Sequence, residues 1–276
     1  MSRENRSKNA DGSQSIARAL GLLSIVADHG ASGVRLSQIA ELANLHIATA
    51  RRILQALAEN GFLAFDTRTK YYAVGPAIFS FAVKGSPWFA RREVFMPVLD
   101  MVAEETRDTV LFSIRSGSEA VCLSRREGEF PVQIMSLVAG SRRPLGAGSG
   151  SLAILAFLPR EEREAIIAQC APAYGAFGLS PSDVRAMADD ALALGYAFNP
   201  ARIIKNVYGI AVPILVNGEA VASISVAAIA ERLKPARRED IVRKIRHALS
   251  RVPGIDPQPP ASKPGHQYHT ASRNHL

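Results

Sequence analysis

The sequence predicts an α+β protein made of two folded domains. Apolar side chains recur at helical spacing over residues 13–60, and short segments typical of strands follow Gly61. From Thr109 onward, segments typical of strands alternate with segments typical of helices. A chain of 276 residues fits two compact domains. We therefore expect a small N-terminal domain of helices and a hairpin, then a linker helix, then a larger C-terminal α/β domain.

The segment between the two domains is expected to be helical. Gly85 and Pro87 interrupt the helical pattern that begins at Pro76, which separates a linker helix from the first helix of the next domain. The polar start and the proline-rich end of the chain are expected to be disordered. The five predicted segments are a disordered tail (1–12), the N-terminal domain (13–75), the linker helix (76–94), the C-terminal domain (95–252) and a second disordered tail (253–276).

Composition limits the classes of partner and cofactor. The formal net charge of +8 favours an anionic partner, and nucleic acid is the first candidate. Cys122 and Cys170 are far apart and belong to no Cys/His cluster, so we predict no metal site, disulfide or cofactor. Every apolar run is interrupted before the roughly 18 residues of a membrane span, and the polar N-terminus lacks a secretory segment. We therefore expect a cytoplasmic protein with reduced thiols and no membrane partner.

Three helices and a hairpin are predicted in the N-terminal domain. The first helix ends at Gly30, and a short second helix lies in LSQIAELAN. A tight turn at Asn44 and Leu45 leads into a third helix over residues 46–60. The strands FLAF and YYAVG then flank the polar loop DTRTK. This order is that of a winged helix-turn-helix, a DNA-binding motif.

The third helix has a predicted DNA-reading face. When its apolar residues face the core, the opposite face carries two arginines, a glutamine and a small alanine. Arginine pairs with guanine and glutamine with adenine, and both side chains also bind phosphates. Basic residues at the hairpin tip suit the DNA backbone or the minor groove. The predicted contacts with a double-stranded DNA operator are Ala48, Thr49, Arg51, Arg52, Gln55, Arg68 and Lys70.

The C-terminal domain is predicted to mix strands and helices. TVLFSIR, EAVCLSRR and VQIMSLV are typical of strands, and Asn217-Gly218 joins two further strands in a hairpin. SLAILAFL, REEREAIIAQC and residues 180–195 and 239–251 are typical of helices. GAGSGSLA opens one of these helices with glycines and two serines. Its free N–H groups and the helix dipole favour a carboxylate, although an ordinary glycine-rich helix start explains the same stretch equally well.

Several blocks resemble the IclR family of bacterial transcription regulators. Over nearly all of the folded length, the resemblance continues from the helix-turn-helix into GSRRPLGAGSGSLAILAFLP, ALGYAFNPAR, NVYGIAVPIL and VASISVAA. His46 stands where the family commonly has proline, and Arg51 where it commonly has His or Tyr. The resemblance implies a GAF-like effector-binding domain after the winged helix-turn-helix. The helix-turn-helix positions that match the family pattern are Leu45, Ala48, Thr49, Arg52, Ile53 and Leu54.

The chain departs from the family pattern around the expected effector pocket. Asn199 stands where the family has Asp, Gly209 where it has Cys, and Ala227 where it has a second Ser. Gly146 and Ser151 replace the usual His and Gly. The smaller side chains at 209 and 227 predict a roomier pocket, such as one for an aromatic or branched acid. The predicted effector-binding residues are Gly146, Ser149, Gly150, Ser151, Asn199, Gly209, Ser225 and Ala227.

The sequence as a whole predicts a ligand-responsive, sequence-specific transcription regulator. We expect it to sense a small organic or aromatic acid, to control a catabolic operon and to act as a homodimer or homotetramer. Two other classes remain open, namely a metabolic enzyme with a vestigial winged helix and an architectural DNA-binding protein without an effector. The GxSxG, P-loop, HExxH and GxGxxG motifs are absent in their required context, so an enzyme is not expected and no catalytic residue is predicted.

Overall fold

The computed structural model describes residues 3–135 and 137–256, with the backbone alone for residues 3–12. The chain divides after Ala90 into two units. Antiparallel strands and helices occur in both units, as expected for the α+β class. The elements of the first unit are α1 (Arg3–Asp28), β1 (Val34–Arg35), α2 (Leu36–Leu42), α3 (Ile47–Glu59), β2 (Leu63–Phe65), β3 (Tyr71–Val74) and α4 (Pro76–Gly85).

The first unit folds its helices around a small antiparallel sheet with the strand order β1-β3-β2. Strand β1 was not predicted, because its two residues are too short to show an alternating pattern. The core is apolar, and each of α1, α2 and α3 contributes buried side chains to it. Its largest members are Leu22, Val26, Ile39, Leu54, Leu63 and Tyr72.

Helix α1 is longer than predicted. We expected a helix starting near Ser13 after a disordered tail over residues 1–12, whereas α1 begins at Arg3. Residues 3–12 are polar, so they carry no apolar stripe from which helical periodicity is detected. The buried residues that anchor α1, Leu22 and Val26, lie well beyond this segment. The prediction of a tail is therefore corrected for residues 3–12.

The linker region consists of two helices. α4 ends at Gly85, Ser86 is extended, and α5 (Pro87–Thr106) follows at once. This break lies at the predicted place, because proline disfavours a helical conformation in the residue before it. α5 then continues from the first unit into the second, so the predicted linker boundary at residue 94 is not a helix end.

The second unit is built on a larger antiparallel sheet. Its strands follow the order β6-β5-β4-β9-β8-β7, and all neighbouring strands are antiparallel. Besides α5, the elements are β4 (Thr109–Ser116), β5 (Glu119–Arg126), β6 (Arg142–Pro144), α6 (Ser149–Ala156), α7 (Arg160–Tyr174), α8 (Pro181–Leu194), β7 (Ala197–Pro200), β8 (Val207–Val216), β9 (Glu219–Ile229) and α9 (Pro235–Leu249).

Helices cover both faces of this sheet. α6 packs on β8 and β9 and, together with α7 and α8, forms an apolar core on one face. On the other face, Phe95 of α5 stacks on Phe112 of β4 with 4.6 Å between ring centroids, and Arg238 of α9 lies over the Phe198 ring at 3.8 Å. Strands buried on both faces read as nearly continuous apolar runs, which is the pattern of β8 and β9.

One predicted strand is wrong. VQIMSLV was expected to be a strand, but residues 132–135, 137 and 138 are irregular. The side chain of Gln133 donates to the carbonyls of Gly128 and Phe130 at 2.6 and 2.5 Å, which holds the segment as a loop. Val132 and Met135 are exposed there, so their apolar character does not report burial in a sheet.

The second unit also extends past its predicted end. The second tail was predicted from residue 253, yet the Asp256 N–H donates to the Leu215 carbonyl at 2.9 Å. The Asp256 carboxylate in turn accepts the Gly218 N–H at 2.5 Å. The rest of the predicted tail, residues 257–276, lies outside the described residues.

A buried carboxylate joins the two helices on the outer face of the sheet. The Asp108 side chain, which follows α5, is 1% exposed and accepts from Arg232 Nε at 2.7 Å and Arg237 Nη2 at 2.8 Å. Both arginines also donate to the Thr106 carbonyl at the end of α5. Because a buried carboxylate is costly without partners, these bonds tie the end of α5 to the start of α9.

Candidate nucleic-acid interface and ligand cavity

A tight turn sets α3 against α2. Asn44 has a left-handed backbone with φ of 49°, which Asn adopts more readily than most residues. The Ala43 and Leu45 N–H groups donate to carbonyls at the end of α2, so the turn is closed by backbone bonds. His46 then caps α3, since its Nδ1 accepts the Ala48 N–H at 3.4 Å. His46 thereby supplies a helix start where the family pattern commonly has proline.

The predicted DNA-reading residues of α3 share one face. Ala50 and Leu54 are buried in the core of the first unit. Ile53 and Leu57, two further apolar residues of α3, are half-buried. The opposite side is accessible to a partner. Its exposed members are Ala48, Arg51, Arg52 and Gln55, and Thr49 lies half-buried at the edge.

The loop between β2 and β3 presents the two basic residues predicted at the wing. Arg68 and Lys70 are exposed. Asp66 shapes the loop, because its carboxylate accepts the N–H groups of Arg68 and Thr69 at 2.8 and 3.2 Å. Hydrogen bonds from Thr69 and then from the Arg68 backbone lower the pKa of Asp66. An ionised Asp66 therefore organises the tip that carries the basic side chains.

A cavity of about 60 Å³ lies between the start of α6 and the large sheet. Side chains alternate between the faces of a strand, so odd-numbered residues of β7, β8 and β9 reach the α6 face together. In the register, Asn199 is opposite Gly209, Gly209 is opposite Ala227, and Ser225 is opposite Leu111. The strands thus bring four predicted effector residues from distant parts of the chain to one wall of the cavity.

Gly150 allows α6 to lie directly over serine hydroxyls. A Cβ at this position would lie 3.2 Å from Ser223 Oγ, 3.4 Å from Ser225 Oγ and 3.7 Å from Ser113 Oγ. The Ser223 hydroxyl donates to the Gly150 carbonyl at 3.0 Å. The wall of the cavity below the helix start therefore carries the hydroxyls of Ser113 and Ser225 beside the aliphatic side chains of Leu111 and Ala227.

Gly209 does not enlarge the cavity. A Cβ at Gly209 would lie 2.5 Å from Ser149 Oγ, so the Ser149 side chain occupies the space that a larger residue would need. The prediction of a roomier pocket from the small residue at 209 is wrong for this reason. Gly209 instead allows the start of α6 to approach β8.

Two residues of the predicted helix start serve other purposes. Gly146 does not line the cavity. Its φ is 98°, and a Cβ there would lie 2.5 Å from Val184 Cγ1, so it is a packing position in the core. Ser151 lines the cavity, but its hydroxyl donates to the Gly148 carbonyl at 3.1 Å and is not free to donate to a ligand.

The structure also adds residues that the sequence did not single out. Arg143 of β6 lines the cavity, and its Nη1 lies 3.2 Å from where a Cβ at Gly148 would be, next to the start of α6. Burial lowers the pKa of this guanidinium, which nevertheless stays protonated at neutral pH. The sequence did contain a signal for this residue, namely an arginine directly before the turn that leads from Pro144 to Ser149. Cys122 also lines the cavity, and burial raises the pKa of its thiol to about 11.

A neighbouring backbone N–H determines how the side-chain amide of Asn199 is oriented. The Arg202 N–H donates to Asn199 Oδ1 at 3.1 Å. Since a backbone N–H can only donate, this contact identifies the oxygen and leaves the amide NH2 group as the remaining polar group. Asn199 therefore offers donors to the cavity, where an Asp would offer acceptors alone.

The described part of the chain contains neither a membrane-spanning helix nor a cluster of metal ligands. No helix there combines the length and apolar character that a membrane crossing requires. Those residues contain no group of three or more His, Cys, Asp or Glu side chains placed to share a metal ion.

Comparison with known families agrees with this geometry. A family model described as the bacterial transcriptional regulator IclR C-terminal domain matches residues 91–252, and the IclR helix-turn-helix domain matches residues 15–67. The chain belongs to the IclR family. This confirms the family and the fold class predicted from the sequence, a winged helix-turn-helix followed by an α/β domain.

Individual relatives of this IclR-family chain are transcription regulators. The HTH-type transcriptional regulator KipR of Bacillus subtilis is 27% identical over 220 residues, which span 79% of this chain and 87% of KipR. BhcR of Paracoccus denitrificans is 28% identical over 242 residues, spanning 83% of this chain and 82% of BhcR. The chain is accordingly a DNA-binding transcription regulator and not an enzyme.

Solved structures show the same fold. An IclR transcriptional regulator from Alicyclobacillus acidocaldarius has a TM-score of 0.72 at 17% identity and covers 87% of this chain and 97% of its own. An IclR homolog from Microbacterium hydrocarbonoxydans, complexed with 4-hydroxybenzoate, has a TM-score of 0.69 at 23% identity and covers 86% and 99%.

Proposed function

We propose that this regulator reads a specific operator with α3 and the β2–β3 wing, and that a small organic or aromatic acid bound in the cavity changes its affinity for that operator. This proposal rests on the presence of two separate sites. One is the exposed basic face of α3, and the other is the cavity at the start of α6, which is lined with hydrogen-bond donors. We further propose that it controls a catabolic operon. Because chromosomal DNA is the target, we expect it to act in the cytoplasm.

The α3 face suits the major groove. Arg52 and Gln55 can donate to base edges, while Ala48 lets the helix approach closely. Arg68 and Lys70 on the wing suit phosphates or the minor groove, where they position the protein without selecting a sequence. We therefore expect α3 to determine specificity and the wing to add affinity.

We also propose a homodimer or homotetramer. Apolar side chains on α1 and α4 of the first unit are left exposed, including Ile16 at 64%, Leu20 at 59% and Phe79 at 64%. Exposed apolar residues on helices favour an interface with a second copy. Paired reading helices bind half-sites about one helical turn apart, so the operator should be palindromic or repeated. Footprinting combined with mass measurement in solution tests this, and a monomer on a single half-site would contradict it.

The start of α6 suits a carboxylate. The first N–H groups of a helix have no acceptor within the helix, and the helix dipole favours an anion there. The hydroxyl of Ser225 and the amide NH2 of Asn199 add donors along the same wall. The Microbacterium hydrocarbonoxydans homolog complexed with 4-hydroxybenzoate supports an acid as the ligand class.

Regulation requires that the acid bind one state of the protein more tightly than another. Couplings of this kind are typically about 1–3 kcal/mol. α4 and α5 connect the two units along the chain, so we propose this segment as the path of coupling.

The test is a panel of carboxylic acids. Each acid is screened by thermal shift, and operator binding is then titrated with and without every acid that binds. Ser225→Leu should fill the cavity, so that the acid neither binds nor changes operator affinity. Ser250→Leu, the same substitution at an exposed position of the second unit, is the control and should respond like wild type. If acids bind the wild type but never change operator affinity, the cavity serves assembly and the sensor proposal fails.

A further inference from the structure

The cavity contains an excess of hydrogen-bond donors. Among the described residues that line it, Arg143 is the one with a full charge, and neither Asp nor Glu contributes. The other polar groups of the lining are the Asn199 amide, the Cys122 thiol, the N–H groups at the start of α6 and the hydroxyls of Ser113, Ser141, Ser149, Ser151, Tyr208 and Ser225. A single carboxylate has two oxygens and can accept about four hydrogen bonds. The guanidinium, the amide NH2 group and the N–H groups at the helix start can only donate, and together they outnumber the hydrogen bonds that one carboxylate can accept.

Two positive centres meet in this cavity. The Arg143 guanidinium is half-buried beside Gly148, the residue that precedes α6. The N-terminus of α6 adds a partial positive charge of roughly half a unit. A guanidinium removed from water gains most from an ionised acceptor, because charge-assisted bonds are stronger in a low-dielectric site. The two centres together carry more than one unit of positive charge.

Asn199 avoids the electrostatic repulsion that an Asp side chain at the same position would exert on an anionic ligand. Asn199 Oδ1 accepts the Arg202 N–H, so the NH2 group of Asn199 is left to donate to a ligand in the cavity. An Asp at this position would repel a second anionic group at close range, whereas Asn can donate to it.

The size of the cavity limits the ligand. A volume of about 60 Å³ has room for roughly four to six water-sized groups. Ser149 Oγ takes up the space beside Gly209, where a Cβ would lie 2.5 Å from it. These dimensions favour a small ligand.

We propose that the effector is a short-chain dicarboxylate. Arg143 and the start of α6 hold its two carboxylates, and the Asn199 amide and the Ser225 hydroxyl donate to the remaining oxygens. Arg143 is the residue that selects a dianion over a monoanion. This inference rests on the proposed function, because it specifies the acid bound at the same site.

The test compares acids that differ by one carboxylate. Malonate, succinate and glutarate are titrated against propionate, butyrate and valerate at constant ionic strength, with benzoate and 4-hydroxybenzoate as aromatic acids. We expect the best dicarboxylate to bind at least ~10-fold more tightly than its monocarboxylate counterpart. Equal affinities within each pair, or tighter binding of an aromatic acid, would overturn the inference.

Neighbouring arginines provide a matched pair of variants. Arg143→Gln should bring the affinity ratio of dicarboxylate to monocarboxylate close to one, and Arg143→Lys should keep part of the preference. Arg142→Gln should leave the ratio unchanged, since Arg142 is exposed and paired with Glu119 at 2.8 Å outside the cavity. Asn199→Asp should weaken dicarboxylates more than monocarboxylates. Melting without ligand shows whether each variant is folded.

The outcomes separate the two proposals. If both classes of acid bind with equal affinity and both change operator binding, the sensor function stands and the dicarboxylate inference is wrong. If the ratio is unchanged in Arg143→Gln, the role of Arg143 is wrong. If no acid in either class changes operator binding, the proposed function itself fails.

Discussion

The proposed DNA-reading face and the proposed ligand cavity differ in how their residues are distributed along the chain. The reading face comes from one helix and one loop, within residues 48–70, and its polar members are exposed. The cavity draws on residues from Leu111 to Ala227 and on six strands and one helix of the second unit. The reading face therefore depends on local helix formation, whereas the cavity depends on the register of the whole sheet.

This difference predicts different consequences of substitution. An exposed side chain on α3 can be removed with little effect on stability, so its loss should appear in DNA binding alone. Ser225 in the cavity wall is 3% exposed, and changes at such positions affect packing as well as the ligand. The following variants test whether the two sites can be separated in this way.

The largest expected effect is destabilisation of the second unit, the unit that contains the cavity. Asp108→Ala leaves Arg232 and Arg237 without their shared carboxylate at the junction of α5 and α9. We expect destabilisation of the second unit by about 3 kcal/mol, at the low end for a buried pair because Arg237 is partly exposed. Denaturant unfolding monitored with and without a bound acid measures it.

Asp240→Ala is the control for this variant. Asp240 pairs with Arg243 and Lys244 on the exposed side of α9, and such pairs contribute little. Equal destabilisation by the two substitutions would show that the Asp108 cluster does not hold the second unit together.

On the reading face, Arg52→Ala should weaken operator binding by roughly 1–3 kcal/mol, about five- to 150-fold, and relax base preference. Arg68→Ala on the wing should weaken operator and scrambled DNA alike and reduce the salt slope by about one. Titrations on both DNAs at several salt concentrations distinguish them, and acid binding should be unchanged in both variants. Unaltered operator affinity in Arg52→Ala would remove α3 as the reading helix.

Gly209→Ala tests the close contact between β8 and α6. The new Cβ would meet Ser149 Oγ at 2.5 Å, so Ser149 must move. We expect a cost of about 1–2 kcal/mol to the second unit and a loss of acid affinity, with operator binding retained. Gly175→Ala adds a Cβ with nothing within 4 Å and is the matched control in the same unit. Acid affinity equal to wild type in Gly209→Ala would place the ligand elsewhere.

The smallest expected effect lies in the first unit. Gly21 is exposed inside α1, and a Cβ there has nothing within 4 Å. Gly21→Ala should therefore stabilise the first unit by about 0.5–1 kcal/mol through helix propensity, without changing acid binding. Gly30→Ala should instead destabilise it, because Gly30 has a φ of 57°. Thermal melting of both variants measures the difference, and a loss of stability in Gly21→Ala would contradict the assignment.

Elements whose apolar residues recur at a regular spacing were predicted well from the sequence. α3 shows apolar residues at helical spacing, and its start and end lie within one residue of the prediction. The hairpin at Asn217-Gly218 also follows from local chemistry, since both residues adopt the positive φ that the turn requires. The segment VQIMSLV shows the opposite case, because hydrogen bonds from Gln133 made a loop of a strand-like pattern.

The sequence by itself determined the helix-turn-helix, the outward face of α3 and the family of this regulator, because residues a few positions apart on a helix have fixed relative directions. Only the tertiary structure decided the composition of the cavity. It placed Gly146 in the core, filled the space beside Gly209 with Ser149, and brought Arg143 to the start of α6. The physical reason is that strand order and close packing set distances between residues far apart in the chain, and no local pattern carries that information.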